Sequence, residues 1–87
     1  MKPIRYTVRL KASAERSLSK LPRELQARIL SKLDDLAINP FLAGAAKLHG
    51  ENAYRIRVGD YRIVYDVMRD KLIVLVIRIG HRREVYR

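Results

Sequence analysis

No cysteine occurs in the 87-residue chain, which excludes a disulfide framework, a thiolate nucleophile and a thiolate metal site. Stability must therefore come from packing, and a reducing cytoplasm is the expected setting. Histidine is scarce: His49 and His81 are remote from each other in sequence and have no clustered carboxylate partner, so no metal centre is expected. A glycine-rich phosphate loop, a nucleophilic-serine motif and a carboxylate pair in a helical setting are also missing, and no cofactor is implied. The longest apolar run, residues 72–77, is far too short to span a bilayer. The first nine residues mix Lys2, Arg5 and Arg9 with apolar residues and do not read as a signal peptide, so no membrane partner is expected.

Acidic residues are few, nine against nineteen basic ones, and the net charge is +10. Self-repulsion of this size is tolerated more readily by a domain with a polyanionic partner, and nucleic acid is the leading candidate. Simple solubility charge is the alternative. Residues 1–50 carry ten basic and four acidic groups and residues 51–87 nine and five, so charge alone does not locate a site. The chain, 48% hydrophobic and without repeats, fits one domain over residues 1–87. A domain of this size buries only about 60–65% of the surface its unfolded chain exposes, so the core is modest.

Residues 4–10 alternate apolar with mainly basic side chains, the period of a half-buried strand. Ser13 can cap a first helix, with Ala14, Leu18 and Leu21 on its apolar face. Pro22 suits the first position of a second helix, whose stripe is Leu25, Ile29, Leu33 and Leu36, widened by Leu30 and Ala37 and stopped by Asn39 and Pro40. Residues 41–51 read as a connecting loop. From residue 54 the period returns to two: strands 54–58 and 61–68 flank a two-residue turn at Gly59-Asp60, and an apolar strand, 72–79, follows a turn near Arg69-Asp70. Being apolar on both faces, the last strand should be central, with the N-terminal strand on its free side. The expected fold is α+β in two layers, β-α-α-β-β-β, with a helical hairpin on one face of a mainly antiparallel four-stranded sheet.

A two-residue turn at Gly59-Asp60 pairs Val58 with Tyr61, Arg57 with Arg62, Ile56 with Ile63 and Arg55 with Val64. Tyr54, Ile56, Val58, Tyr61, Ile63 and Tyr65 then face the helices, and Arg55, Arg57 and Arg62 gather on the other side. Arg57 directly opposite Arg62 is a local electrostatic cost that a fold alone does not favour. Phosphate would relieve it, because arginine forks match phosphate oxygens and stabilise the added charge of a pentacovalent phosphorus. A solvated arginine face is the default for any one of these residues; their cross-strand clustering favours a functional reading of the set.

The runs KLHG (47–50), YRIRVGDYRIVYDV (54–67) and VIRIGHRREVY (76–86), with the strand and helix pair before them, resemble the RelE branch of the RelE/ParE toxin superfamily. The resemblance covers nearly the whole chain. It implies a toxin of a type II toxin-antitoxin system: a metal-independent endoribonuclease that cuts mRNA in the ribosomal A site by attack of the ribose 2′-hydroxyl, leaving a 2′,3′-cyclic phosphate. It also implies a cognate antitoxin that covers the basic face, in a toxin-antitoxin hetero-oligomer.

Carried over by residue, the resemblance places the family's first basic pair on Arg55 and Arg57, its YR arginine on Arg62, its GKR-type arginine on Arg82 and its C-terminal tyrosine on Tyr86. Arg83 joins Arg55, Arg57 and Arg62 as an expected RNA contact. The first two positions are often lysine in RelE-like sequences; arginine does not give up its proton near neutral pH, so their role here is electrostatic. Tyr86 is the implied general base, its phenolate favoured by nearby arginines; the alternative is an aromatic that pins the C-terminal segment. Arg82 suits charge stabilisation better than proton donation. His81 is a second candidate for acid-base work, against a solvated loop histidine. Two other functions stay open: a ParE-like, gyrase-binding toxin, and a catalytically inert member that binds only an antitoxin.

Overall fold

The computed structural model describes residues 5–42, 44–48 and 53–81. In chain order the elements are β1 (Thr7–Leu10), α1 (Ala12–Ser19), α2 (Arg23–Ile38), β2 (Ala46–Lys47), β3 (Ala53–Val58), β4 (Tyr61–Met68) and β5 (Ile73–His81). They form one sheet of order β1-β5-β4-β3-β2, in which β1 runs parallel to β5 and the other pairs are antiparallel. The two-layer α+β arrangement is as expected, with the apolar β5 inside and the N-terminal strand beside it. The sheet has five strands rather than four. The extra one, β2, pairs Ala46 with Arg55 and Lys47 with Tyr54, inside the segment expected to be loop. Two residues are too few to show any period.

Helix α1 begins two residues earlier, and α2 one residue later, than side-chain chemistry suggests. Lys11 N–H still donates to the Val76 carbonyl at 2.9 Å, so the extended backbone of β1 reaches Lys11 and α1 starts directly behind it. Ser13 therefore lies inside the first turn instead of capping it. Pro22 is the N-cap of α2, not its first helical residue. Between the helices the Gln26 side-chain amide donates to the carbonyls of Leu21 at 2.8 Å and Ser19 at 3.3 Å, holding acceptors that the end of α1 leaves over. The Asn39 side chain accepts from Phe41 N–H at 3.0 Å, an Asx turn that takes the chain out of α2.

Ala14, Leu18, Ile29, Leu33 and Leu36 of the helices meet Ile56, Val58, Ile63, Tyr65, Val74, Val76 and Ile79 of the sheet. Leu25 packs at the margin of this core, whereas Leu30, expected to widen the stripe, is 48% exposed. The turn before β5 places Leu72 at φ 54°, a left-handed conformation disfavoured for a leucine, and the strand starts one residue later than its apolar run suggests.

Tyr65 is the largest fully buried side chain, and its hydroxyl donates to the Pro40 carbonyl at 2.7 Å. Tyr54 stacks on it with centroids 5.9 Å apart, Phe41 meets Tyr54 edge-on at 5.3 Å, and the Arg69 guanidinium lies 4.7 Å from the Phe41 centroid. This ladder ties the segment after α2 to the middle of the sheet. Burial, with Tyr54 beside it, pushes the Tyr65 phenol up from 10.0 to about 12. Between these values the unfolded chain loses its proton while the folded one keeps it, so stability present below pH 10 is lost as pH rises through that window. Tyr65→Phe is expected to cost about 1–3 kcal/mol at neutral pH, because the Pro40 carbonyl loses its donor. In denaturant titrations from neutral pH to about 12, the gap to wild type should narrow on the alkaline side.

Candidate nucleic-acid interface

The register of β3, β4 and β5 decides which side chains share the face turned away from the helices. Arg57 pairs with Arg62 and Arg55 with Val64, as the two-residue turn requires, and Gly59 supplies the positive φ of 59° at the first turn position. Cross-strand partners have Cβ atoms about 4.5–5.5 Å apart, so the two guanidinium stems run side by side. On the other flank of β4, Arg62 faces Gly80 and Val64 faces Arg78. The outer face thus carries one row of Arg57, Arg62 and Gly80 and a second of Arg55, Val64 and Arg78. A third row holds Ala53, Asp66, Leu75 and Arg9, with Asp66 as its carboxylate.

Arg78 was not legible from alternation. Counted in twos from Val74 and Val76 it would face the core, but β5 has a bulge: Val76 pairs with Tyr65 and Arg78 with Val64, leaving Ile77 over. The extra residue exchanges the faces, so Ile79 is buried and Arg78 exposed. The signal in the sequence was the interruption of an even-numbered apolar series by arginine, with an isoleucine next to it. A bulge accounts for that order and a straight strand does not.

Exposure differs sharply across the set. Arg57 and Arg78 are exposed and Arg55 is half-buried, but Arg62 retains only 5% of its surface. It lies in the central part of the sheet between two strands, with a neighbouring arginine stem on one side and glycine on the other. Neither Arg55 nor Arg62 is without an interaction partner, as burial of a charged group demands.

His81 is on the opposite side. It pairs with Tyr61, and the rings meet edge-on with centroids 5.6 Å apart, on the helix-facing side of the sheet. The structure therefore unites Arg55, Arg57 and Arg62 with Arg78 and separates His81 from them. Arg82, Arg83 and Tyr86, and His49 in the loop, lie outside the described residues.

The facing pair of Arg57 and Arg62 predicts that an anion bound between them stabilises the sheet. At equal ionic strength, phosphate should raise the melting temperature over chloride more in wild type than in Arg57→Thr. In chloride that variant should melt at or slightly above wild type, since threonine suits a strand and removes the repulsion.

Residues 8–86 match the family described as ParE toxin of type II toxin-antitoxin system, parDE. The chain is 34% identical over 85 residues to Toxin RelG of Mycobacterium tuberculosis, covering 94% of this chain and 97% of that protein. Among solved structures, a chain of the toxin-antitoxin complex RelBE2 from Mycobacterium tuberculosis aligns with a TM-score of 0.80 at 31% identity, over 92% of this chain and 94% of that one. The isolated E. coli RelE toxin aligns with a TM-score of 0.79 at 30% identity, over 93% and 90%. With sequence match and fold in agreement, this chain belongs to the RelE/ParE family of toxins of type II toxin-antitoxin systems.

Proposed function

We propose that the chain is a ribosome-dependent mRNA endoribonuclease that inhibits translation by cutting in the A site, without a metal. The observation that supports this most directly is the arginine face itself: four guanidinium groups around Val64, one of them buried, at the end of the sheet from which the chain runs on to Arg82. An exposed face evolved for solubility alone has no reason to bury Arg62 beside Arg57. A scissile phosphodiester between these groups would gain charge during attack of the 2′-hydroxyl on phosphorus, and fixed guanidinium groups favour that charge over the ground state.

In this mechanism Tyr86, as phenolate, takes the 2′-hydroxyl proton while the new O–P bond forms and the bond to the 5′-oxygen breaks, giving the 2′,3′-cyclic phosphate and a 5′-oxygen leaving group that takes its proton from water. Arg55, Arg62 and Arg82 stabilise the phosphoryl oxygens; Arg57 and Arg83, with Arg55 and Arg62, hold the flanking backbone. His81, packed against Tyr61 on the far face, is a poor candidate for the base. The partners are then the ribosome with its mRNA and a cognate antitoxin, as in the RelBE complexes that the fold resembles. The antitoxin would fold acidic and apolar segments onto the same basic face.

The name of the matching family supports a second reading, a gyrase-binding toxin without a nucleolytic centre. Cut sites mapped in a reconstituted translation system, with and without ribosome occupancy, separate the two. Cleavage that needs the ribosome supports the nuclease; absence of any cut supports the gyrase reading where expression arrests growth, and an inert member where growth is unaffected. Arg62→Ala is expected to lower single-turnover cleavage by one or more orders of magnitude. Tyr86→Phe should reduce cleavage strongly while ribosome binding and thermal stability stay near wild type. Cleavage that survives Tyr86→Phe and fails only in Tyr86→Ala would make Tyr86 a packing residue.

A further inference from the structure

The arginine face does not end at the edge of the sheet. Strand β2 covers β3 only at Tyr54 and Arg55, so among the described residues the edge from Ile56 to Val58 carries no further strand. Helix α2 runs alongside, and a groove of about 460 Å³ between them is lined by Arg28, Ser31, Lys32, Asp35, Arg57 and Gly59, with Ala27 and Val58. Arg57 belongs both to this groove and to the outer face. Arg28 is seated against the turn: a Cβ placed on Gly59 would lie 3.6 Å from both terminal guanidinium nitrogens. That is ordinary contact distance, so Arg28 reaches the β3-β4 turn and lines the same groove as Arg57.

Arg28 and Lys32 are one turn apart on the same face of α2, a spacing at which like charges repel. The groove sets three cations against one carboxylate, Asp35, while Glu24 and Asp60 border Arg28 on its other side. Helix and hairpin both accept like-charge pairs and direct them to one continuous surface.

We infer that this groove is a second phosphate-binding segment of the RNA path: a strand leaving the outer face crosses the Gly59 turn at Arg57, and Arg28 and Lys32 hold its backbone at nucleotides beside the cut. The inference rests on the proposed RNA-cleaving function and extends it to α2. An RNA backbone fits better than an extended peptide. The lining is charged or small and offers none of the side-chain pockets that give a bound strand its specificity, whereas a file of cations with the Ser31 hydroxyl between them suits successive phosphates.

The test compares wild type with Arg28→Gln/Lys32→Gln, and with Arg16→Gln/Lys20→Gln as a control of equal net charge at exposed positions in and just after α1. Labelled single-stranded RNAs of about three and about ten nucleotides are titrated over a range of salt. The groove variant should bind the short RNA like wild type and the long one about tenfold more weakly, with a log K against log salt slope shallower by about 1.4, the value for two phosphate contacts on a single strand. The control should keep wild-type affinity and slope for the long RNA. If groove and control variants behave alike while Arg62→Ala weakens both RNAs, the inference falls and the proposed function stands. If wild type binds neither RNA, the inference falls, while the proposed function, in which the ribosome presents the mRNA, is decided by the cleavage assay. If the groove variant binds both RNAs normally but loses a poly-glutamate decamer that wild type holds, the groove serves a protein partner and the inference is overturned.

Discussion

Strand β4 is the constraint on which the rest depends. It pairs with β3 from Tyr61 to Asp66 on one side and with β5 along its length on the other, and its residues must alternate between two faces. One set, Ile63 and Tyr65, makes the centre of the core against α2. The other set, Arg62, Val64 and Asp66, makes the centre of the outer face. Core and candidate site are thus two sides of the same strand. A slip of one residue would send Arg62 under the helices and Ile63 into solvent, destroying both together. The buried Tyr65 hydroxyl on the Pro40 carbonyl reinforces the register from outside the sheet, since only one alignment of β4 brings Tyr65 under that loop.

The parts of the fold written in strong periods were legible from the residues. The alternation after residue 54, the Gly59-Asp60 turn and the stripe Ile29, Leu33 and Leu36 each produced the element expected, and the cross-strand register followed from the turn alone. Where backbone competition decides, side-chain patterns were less informative. Ser13 loses its capping role because Lys11 is still bonded to β5, and β2 exists because two residues happen to lie against β3. The site was legible to the same depth. Arg55, Arg57 and Arg62 share a face as alternation requires, but the burial of Arg62 depends on its neighbours in three strands, and Arg78 joins the patch only through a bulge.

The distribution of charge shows why the composition is so basic without being polarised along the chain. Arg9, Arg55, Arg57, Arg62 and Arg78 come from four different strands and are collected by pairing, and Arg28 and Lys32 of α2 join them through the rim of the β3-β4 turn. Contiguity in space is achieved by topology. Under the proposed function such a face would have two competing claimants, a nucleic acid and an antitoxin. The same repulsion that an RNA would relieve is available to any acidic partner that reaches it first.

The bulge at Ile77 divides β5 into two reading frames. Up to Val76 the even-numbered residues point inward; from Arg78 they point outward. Ile77 is the surplus residue, and the strand can lose it without losing its frame. Deleting it would join Val76 directly to Arg78 and restore plain alternation, with Arg78 still opposite Val64 and Ile79 still opposite Ile63. Straightening the strand with Ile77 retained would instead set Ile77 opposite Val64 and Arg78 opposite Ile63, turning a guanidinium into the core and an isoleucine onto the charged face. The phase of the end of β5 is thus held by its pairing with β4 and not by the number of residues it contains.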